Sequence, residues 1–213
     1  MLNSGLLKRL EENLLLRNYS KETIKGYLIQ VGKYLEFAEN KGVNPESAKS
    51  FVLLQLKKKE PSSVGHLVFA LKYFFQEIIK ERLYISNPKR NKKIPEILTQ
   101  EEIKRMINSL TNIKHKLILK LLYGCGLRVS EIVNLQKDNM NFNEGLIHIL
   151  LAKGKKDRFV KIPASILEEL RSYTSLLNEK TLFPSNRGGK LTKKTIGKIV
   201  ENASKKAGIT KKV

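Results

Sequence analysis

The sequence predicts a mainly α-helical protein in two parts, a helical bundle followed by a mixed α+β part with a small antiparallel sheet. Three observations carry this prediction. Apolar residues recur at helical spacing through the first 85 positions. A proline-flanked basic break follows at 86–97. Beyond it, between further helical stretches, the helical period gives way over 146–150 and 158–162 to two short, mostly β-branched and apolar runs that read as strands.

The first helix is expected near residues 6–16. Between Ser20 and Lys41, Ile24, Tyr27, Leu28, Val31, Tyr34, Leu35 and Ala38 repeat at three- and four-residue intervals, which is one buried helix face. Ser20 is placed to cap its start and Gly42 to stop it. Pro45 opens a third helix through Phe51, Leu54 and Leu56, since a first-turn proline loses no needed N–H. Pro61 opens a fourth, with Val64, Leu67, Leu71, Phe74, Phe75 and Ile78 on its inner face.

The break SNPKRNKKIPEI carries Lys89, Arg90, Lys92 and Lys93 between two prolines and has no helical period, so it reads as a linker. It is either a positive strap between two domains or a solvated hinge. Thr99 and Glu102 then form a capping box ahead of Ile103, Met106, Ile107 and Leu110. A strongly apolar helix runs from Ile113 to Tyr123 and ends at Gly124-Cys125-Gly126; a short helix carries Val129, Ile132, Val133 and Leu135. The two strands are joined by a basic turn over 152–157. Ser165 with Glu168 is expected to cap the next helix, and Thr192 to Ala207 to form the last.

Charge narrows the function. With 41 Lys+Arg against 20 Asp+Glu, the net charge is +21 and the pI about 10.0. The excess is spread along the chain: residues 1–95 carry 18 basic and 9 acidic side chains, and residues 96–213 carry 23 and 11. Such a field favours a polyanion, nucleic acid or an anionic membrane surface. Cys125 is the only cysteine, which excludes an intramolecular disulfide and a Cys-rich zinc site and fits a reducing cytoplasm. The first 18 residues mix charges into their apolar positions, unlike a signal peptide, and no run of about 18 apolar residues suggests a membrane span.

Two stretches carry chemistry. In Tyr123-Gly-Cys-Gly-Leu-Arg-Val-Ser-Glu-Ile-Val-Asn-Leu135, a buried helix meets a glycine-hinged turn, and Arg128 opens the helix that follows. An arginine beside free helix N–H groups suits a phosphate, and Glu131 lies one turn on, placed to hold its guanidinium. The same pair also fits an ordinary surface ion pair. In Leu151-Ala-Lys-Gly-Lys-Lys-Asp-Arg-Phe-Val-Lys-Ile-Pro163, Lys153, Lys155, Lys156 and Arg158 surround a turn glycine. These cations could touch phosphates, and a lysine at a hairpin tip can act as a general acid; a merely polar turn has the same appearance.

Together and in this order, the two stretches resemble the tyrosine recombinases, or phage-type integrases, and within them the Xer-like archaeal and bacterial enzymes. Ser20-Lys-Glu-Thr-Ile-Lys-Gly-Tyr27 is similar to the opening of that family's SAM-like core-binding domain, and Ile97-Leu-Thr-Gln-Glu-Glu-Ile103 to the start of its catalytic domain. Gly126-Leu-Arg-Val-Ser-Glu131 resembles the first active-site box, and Lys153-Gly-Lys-Lys-Asp-Arg158 the hairpin bearing the catalytic lysine. Leu182-Phe183-Pro184 and Ala207-Gly208-Ile209 continue the match.

The resemblance implies a core-binding domain at 1–85, a linker at 86–97 and a partial catalytic domain at 98–213, forming a basic clamp on double-stranded DNA. It implies strand cleavage through a 3′-phosphotyrosyl intermediate, without metal or other cofactor. Arg128 would neutralise the non-bridging phosphate oxygens, Glu131 would support it, and Lys153 would protonate the 5′ leaving oxygen. Lys21, Lys25, Lys89, Arg90, Lys92, Lys93, Lys155, Lys156 and Arg158 would contact DNA. Full family enzymes self-associate on DNA.

The family pattern continues into a His-x-x-Arg box, a further His or Trp and the nucleophilic Tyr, which the 213 residues do not contain. Tyr123 and Tyr173 are expected in the core, and His66, His115 and His148 match none of the family's histidines. This chain is therefore expected to bind duplex DNA without cleaving it. The alternatives are a non-catalytic protein that occupies recombination sites, and a basic RNA-binding or ribosomal protein, in which Arg128 and Lys153 would not converge.

Overall fold

Caps and prolines set the boundaries of the first helices. The structure, a computed structural model, describes residues 2–89, 94–150 and 157–211. After α1 (Leu2–Leu16), the Ser20 hydroxyl accepts the Thr23 backbone N–H and starts α2 (Lys21–Ala38). Gly42, at φ +75°, closes the end of α2 by donating to the Ala38 carbonyl. Asn44 Oδ1 accepts the Ser47 N–H while Ser47 Oγ accepts that of Asn44, so α3 (Pro45–Leu56) begins on a reciprocal box. α4 (Pro61–Phe74) runs on into a π-helical turn, Phe75–Ile79, which stops at Lys80 in the left-handed region.

The chain forms two compact units, Met1–Ile94 and Pro95–Val213, each around its own apolar core. In the first, Ile24, Val31, Tyr34, Leu35 and Ala38 of α2 meet Phe51 and Val52 of α3 and Val64, Leu67, Leu71, Phe74, Phe75 and Ile78. Tyr34 is fully buried among Phe51, Phe74 and Phe75, with ring centroids 5.8–6.4 Å away. Its hydroxyl shares a 2.8 Å hydrogen bond with Ser47, so neither polar atom is left dry without a partner. Lys21 and Lys25 stand exposed near the start of α2.

The second unit opens on the predicted box. Thr99 N–H donates to Glu102 Oε2 at 2.7 Å and Glu102 N–H to Thr99 Oγ1 at 3.2 Å, starting α5 (Gln100–Asn108). α6 (Ile113–Gly124), α7 (Val129–Asn134) and a short 3₁₀ turn lead into an antiparallel sheet of order β1-β2-β3. Its strands are β1 (Met140–Asn141), β2 (Leu146–Ile149) and β3 (Arg158–Lys161). The two-residue β1 was not expected, because so short a strand leaves no alternation to read. α8 (Ala164–Ser175) and α9 (Lys193–Lys206) complete the unit; Thr192, expected as the first residue of the last helix, is its cap. Leu117, Ile118, Leu121, Ile132, Ile147, Leu170, Phe183, Ile196 and Ala203 form its centre.

Two expectations need correction. Ser165 does not cap α8: the chain leaves β3 through Pro163, whose carbonyl accepts from Ile166 and Leu167, so the helix starts before Ser165. The proline's restricted φ makes the turn without a side-chain cap. Tyr123 is not a core residue but 53% exposed. It follows the buried Leu121 by two positions, about 200° round the helix, and so faces away from the core. Tyr173 is partly buried, stacked on Phe183. Among the described residues no helix is long and apolar enough to cross a membrane.

Candidate active site

The turn after α6 depends on two glycines for different reasons. A Cβ at Gly124 would lie 2.9 Å from Ile166 Cδ1, so this glycine lets the end of α6 approach α8. Gly126 has φ +60°, a left-handed backbone that an L side chain adopts only at a cost. Between them Cys125 is half-buried, and burial pushes its thiol up to about 11. It stays protonated at neutral pH and is a poor nucleophile.

This turn delivers Arg128 to the N-cap of α7 and Glu131 to the third position of the helix. Glu131 is buried, at 8% exposure, and accepts four hydrogen bonds. Oε2 takes the Arg128 main-chain N–H at 2.8 Å, and Oε1 takes the Arg128 guanidinium at 2.9 Å. Arg158, from β3, adds a two-pronged grip: its Nη1 donates to Oε1 at 2.8 Å and its Nη2 to Oε2 at 2.7 Å. The Arg158 bonds, then the Arg128 bonds, hold the Glu131 carboxyl down to about 2 against the opposing effect of burial. It is therefore a carboxylate at any physiological pH. The Arg128 side chain remains 53% exposed and the Arg158 side chain 33%. Two guanidinium ions around one carboxylate leave a net positive cluster, able to take an oxyanion.

The sequence-expected residues separate into groups. Arg128 and Glu131 meet as their spacing suggested. Arg158, grouped in the sequence with the hairpin cations, joins them. Lys153, Lys155 and Lys156 lie outside the described residues, as do Arg90, Lys92 and Lys93. Lys89 is exposed in an irregular stretch. Reading the motifs separately missed that Arg158 and Glu131, 27 positions apart, share a site. A signal was present in β3: Arg158 alternates with Val160 and Ile162 on the side of Ile147 and Ile149, while Phe159 points away at 66% exposure. An arginine on the inward side of a strand calls for an acid partner.

Beside this cluster, His148 stacks on Phe159 at 4.5 Å and sets Nε2 3.4 Å from Asp157 Oδ2. Among the described residues no three His, Cys, Asp or Glu side chains come together as a metal site.

Comparison with known proteins bears on both units. Residues 6–85 match the model of the phage integrase N-terminal SAM-like domain, and residues 96–213 match that of the phage integrase family. The chain is 35% identical to tyrosine recombinase XerA of Pyrococcus horikoshii, over 98% of this chain and 75% of that protein. It is 28% identical to tyrosine recombinase XerD of Chlorobaculum tepidum, over 92% and 74% of the two chains. The crystal structure of XerA recombinase superposes with a TM-score of 0.53 at 29% identity, covering 99% of this chain and 79% of that one. A lambda integrase dimer bound to a COC′ core site gives a TM-score of 0.74 at 18% identity, over 97% and 64%, which speaks to fold alone.

Proposed function

The chain belongs to the phage integrase family of tyrosine recombinases, whose activity is site-specific DNA recombination, and on that premise we propose that these 213 residues bind duplex DNA and contribute the arginine and lysine of a strand-transfer site. The observation that carries the reading is the Arg128 guanidinium, half-exposed and anchored at one end by a permanently ionised, buried carboxylate. That arrangement leaves N–H groups for the non-bridging oxygens of a scissile phosphate, where charge builds up during attack. Glu131 supports Arg128, and Lys153 gives its proton to the 5′ oxygen as the P–O bond breaks. A tyrosine oxygen forms the new bond to phosphorus, and the 5′-hydroxyl of a partner duplex later reverses the step.

We assign none of the seven tyrosines of this sequence as that nucleophile. Tyr34 is core, and Tyr19, Tyr27 and Tyr73 form a mutual ring cluster with centroids 5.5–6.3 Å apart. Burial pushes the Tyr173 hydroxyl up to about 12. Tyr84 and Tyr123 are exposed, yet neither falls at the family's nucleophile position. The DNA contacts are assigned to a core-binding unit and linker, through Lys21, Lys25, Lys89, Arg90, Lys92 and Lys93, and to a catalytic unit through Lys155 and Lys156. Recombination joins two duplexes, so self-association on DNA and a cytoplasmic location are part of the same reading.

The test is incubation with a nicked duplex, resolved on native and denaturing gels. A shifted duplex without a covalent adduct is the expected result, and Arg128→Ala or Lys153→Ala should weaken the shift only modestly, because many cations share the phosphates. An adduct mapping to one of the seven tyrosines would overturn the nucleophile assignment. No shift even at low salt would overturn DNA binding.

A further inference from the structure

The resemblance put Arg158 among the DNA contacts, but its guanidinium is turned onto Glu131, and resting on the reading of Arg128 above, we infer that it is a positioning residue that acts on DNA only through Glu131: it neutralises and orients that carboxylate so that Arg128 keeps its charge for a phosphate. The bond pattern leads there. Each Glu131 oxygen accepts two bonds, one from each arginine. With two lone pairs per oxygen, the carboxylate is saturated. Arg158 approaches as a planar fork with one nitrogen on each oxygen, the geometry that fixes the carboxylate plane. Arg128 spends a single guanidinium bond on Oε1 and takes its direction from the plane that Arg158 sets.

The charge count gives the consequence. Glu131 carries one negative charge and the two arginines two positive charges. With Arg158 present the cluster is net +1, and the exposed side chain is Arg128. Without Arg158 the carboxylate cancels Arg128, and an incoming phosphate meets a neutral pair with a buried negative oxygen behind it. Arg158 itself has turned its guanidinium inward, from the same side of β3 as Val160, onto α7. It also ties the sheet to the helix that carries Arg128. The contrasting role, direct contact of Arg158 with DNA phosphate, makes a different prediction once Glu131 is neutral.

The experiment is duplex affinity by fluorescence anisotropy at fixed salt for the parent chain, Arg128→Met, Arg158→Met, Glu131→Gln and the pair Glu131→Gln/Arg158→Met, with folding checked by circular dichroism at the assay temperature. Arg128→Met and Arg158→Met are each expected to lose about three- to fivefold, the scale of one partly solvated ion contact. Replacing Glu131 by Gln in the Arg158→Met chain should recover most of that loss, because the charge that needed compensation is gone. If the pair stays as weak as Arg158→Met alone, Arg158 touches DNA directly and the inference is wrong. If Arg158→Met lowers the melting temperature but not the affinity, its role is structural only and the inference is again wrong. Loss at Arg128 with no loss at Arg158 overturns the inference and leaves the functional reading intact; no loss at Arg128 overturns both. Should Arg158→Met alone not fold, the pair against the parent chain decides the matter: both leave the cluster at net +1 on Arg128, so nearly equal affinity is expected, and a pair about three- to fivefold weaker overturns the inference.

Discussion

Two guanidinium ions and a helix N–H converge on the Glu131 carboxylate, which makes its ionisation part of the stability of the second unit. In the folded chain it titrates at about 2, against an unfolded value near the usual ~4.3 for glutamate. A carboxylate depressed in this way contributes its full stabilisation above the unfolded value and loses it as pH falls from about 4 towards 2. Glu131→Gln should therefore cost about 1–2 kcal/mol at pH 6, held down by the partial solvation of both arginines. That difference should shrink as the pH falls through 4 towards 2. Urea denaturation of the two proteins at pH 6, 4 and 3 measures it, and parallel stability profiles would refute the coupling.

At the level of elements, the connection from α6 to α7 decides whether Arg128 arrives at its position. Gly124 and Gly126 bracket the turn, but they resist substitution differently. Gly126→Ala should cost about 1–2 kcal/mol from the left-handed backbone alone, with nothing nearby to relieve it. Gly124→Ala collides with Ile166 Cδ1, the far end of a side chain, at 2.9 Å, and meets Pro163 Cγ only at 3.4 Å. Shortening that residue, in the double substitution Gly124→Ala/Ile166→Val, should recover most of the Gly124→Ala loss, a coupling expected of residues in contact. Additive losses in thermal unfolding would mean that the alanine strains α6 itself. Both experiments probe the loop that separates the apolar run of α6 from the arginine.

For the whole molecule, the decisive property is charge spread over two separately cored units. A net charge of +21 makes duplex binding a counterion-release process. The logarithm of affinity should fall linearly with the logarithm of salt, with a slope of roughly −0.9 for each phosphate contacted. Anisotropy titrations between 50 and 200 mM salt test this, and a salt-independent affinity would refute a phosphate-tracking surface. Charge reversal in a single unit distinguishes the contributions: Lys21→Glu/Lys25→Glu should flatten the slope while leaving Arg128 and its partners untouched.

The features legible in the sequence were those set by near neighbours along the chain. Helical period placed the buried face of α2 and the run from Val64 to Ile78, because residues three or four apart share a helix side. Ser20 and Thr99 announced helix starts, since a cap bonds two or three residues ahead. The Arg128–Glu131 pair was readable for the same reason, and the ordered motifs pointed to the family. Tertiary packing alone decided the remainder. It turned Tyr123 outward, began α8 at Ala164 after Pro163, and paired the two residues of β1 with β2. Above all it carried Arg158 across 27 positions of sequence to Glu131. No local period encodes that contact, because it exists only where the inward face of β3 and the first turn of α7 are packed on one core, and a buried carboxylate there needs every cation within its reach.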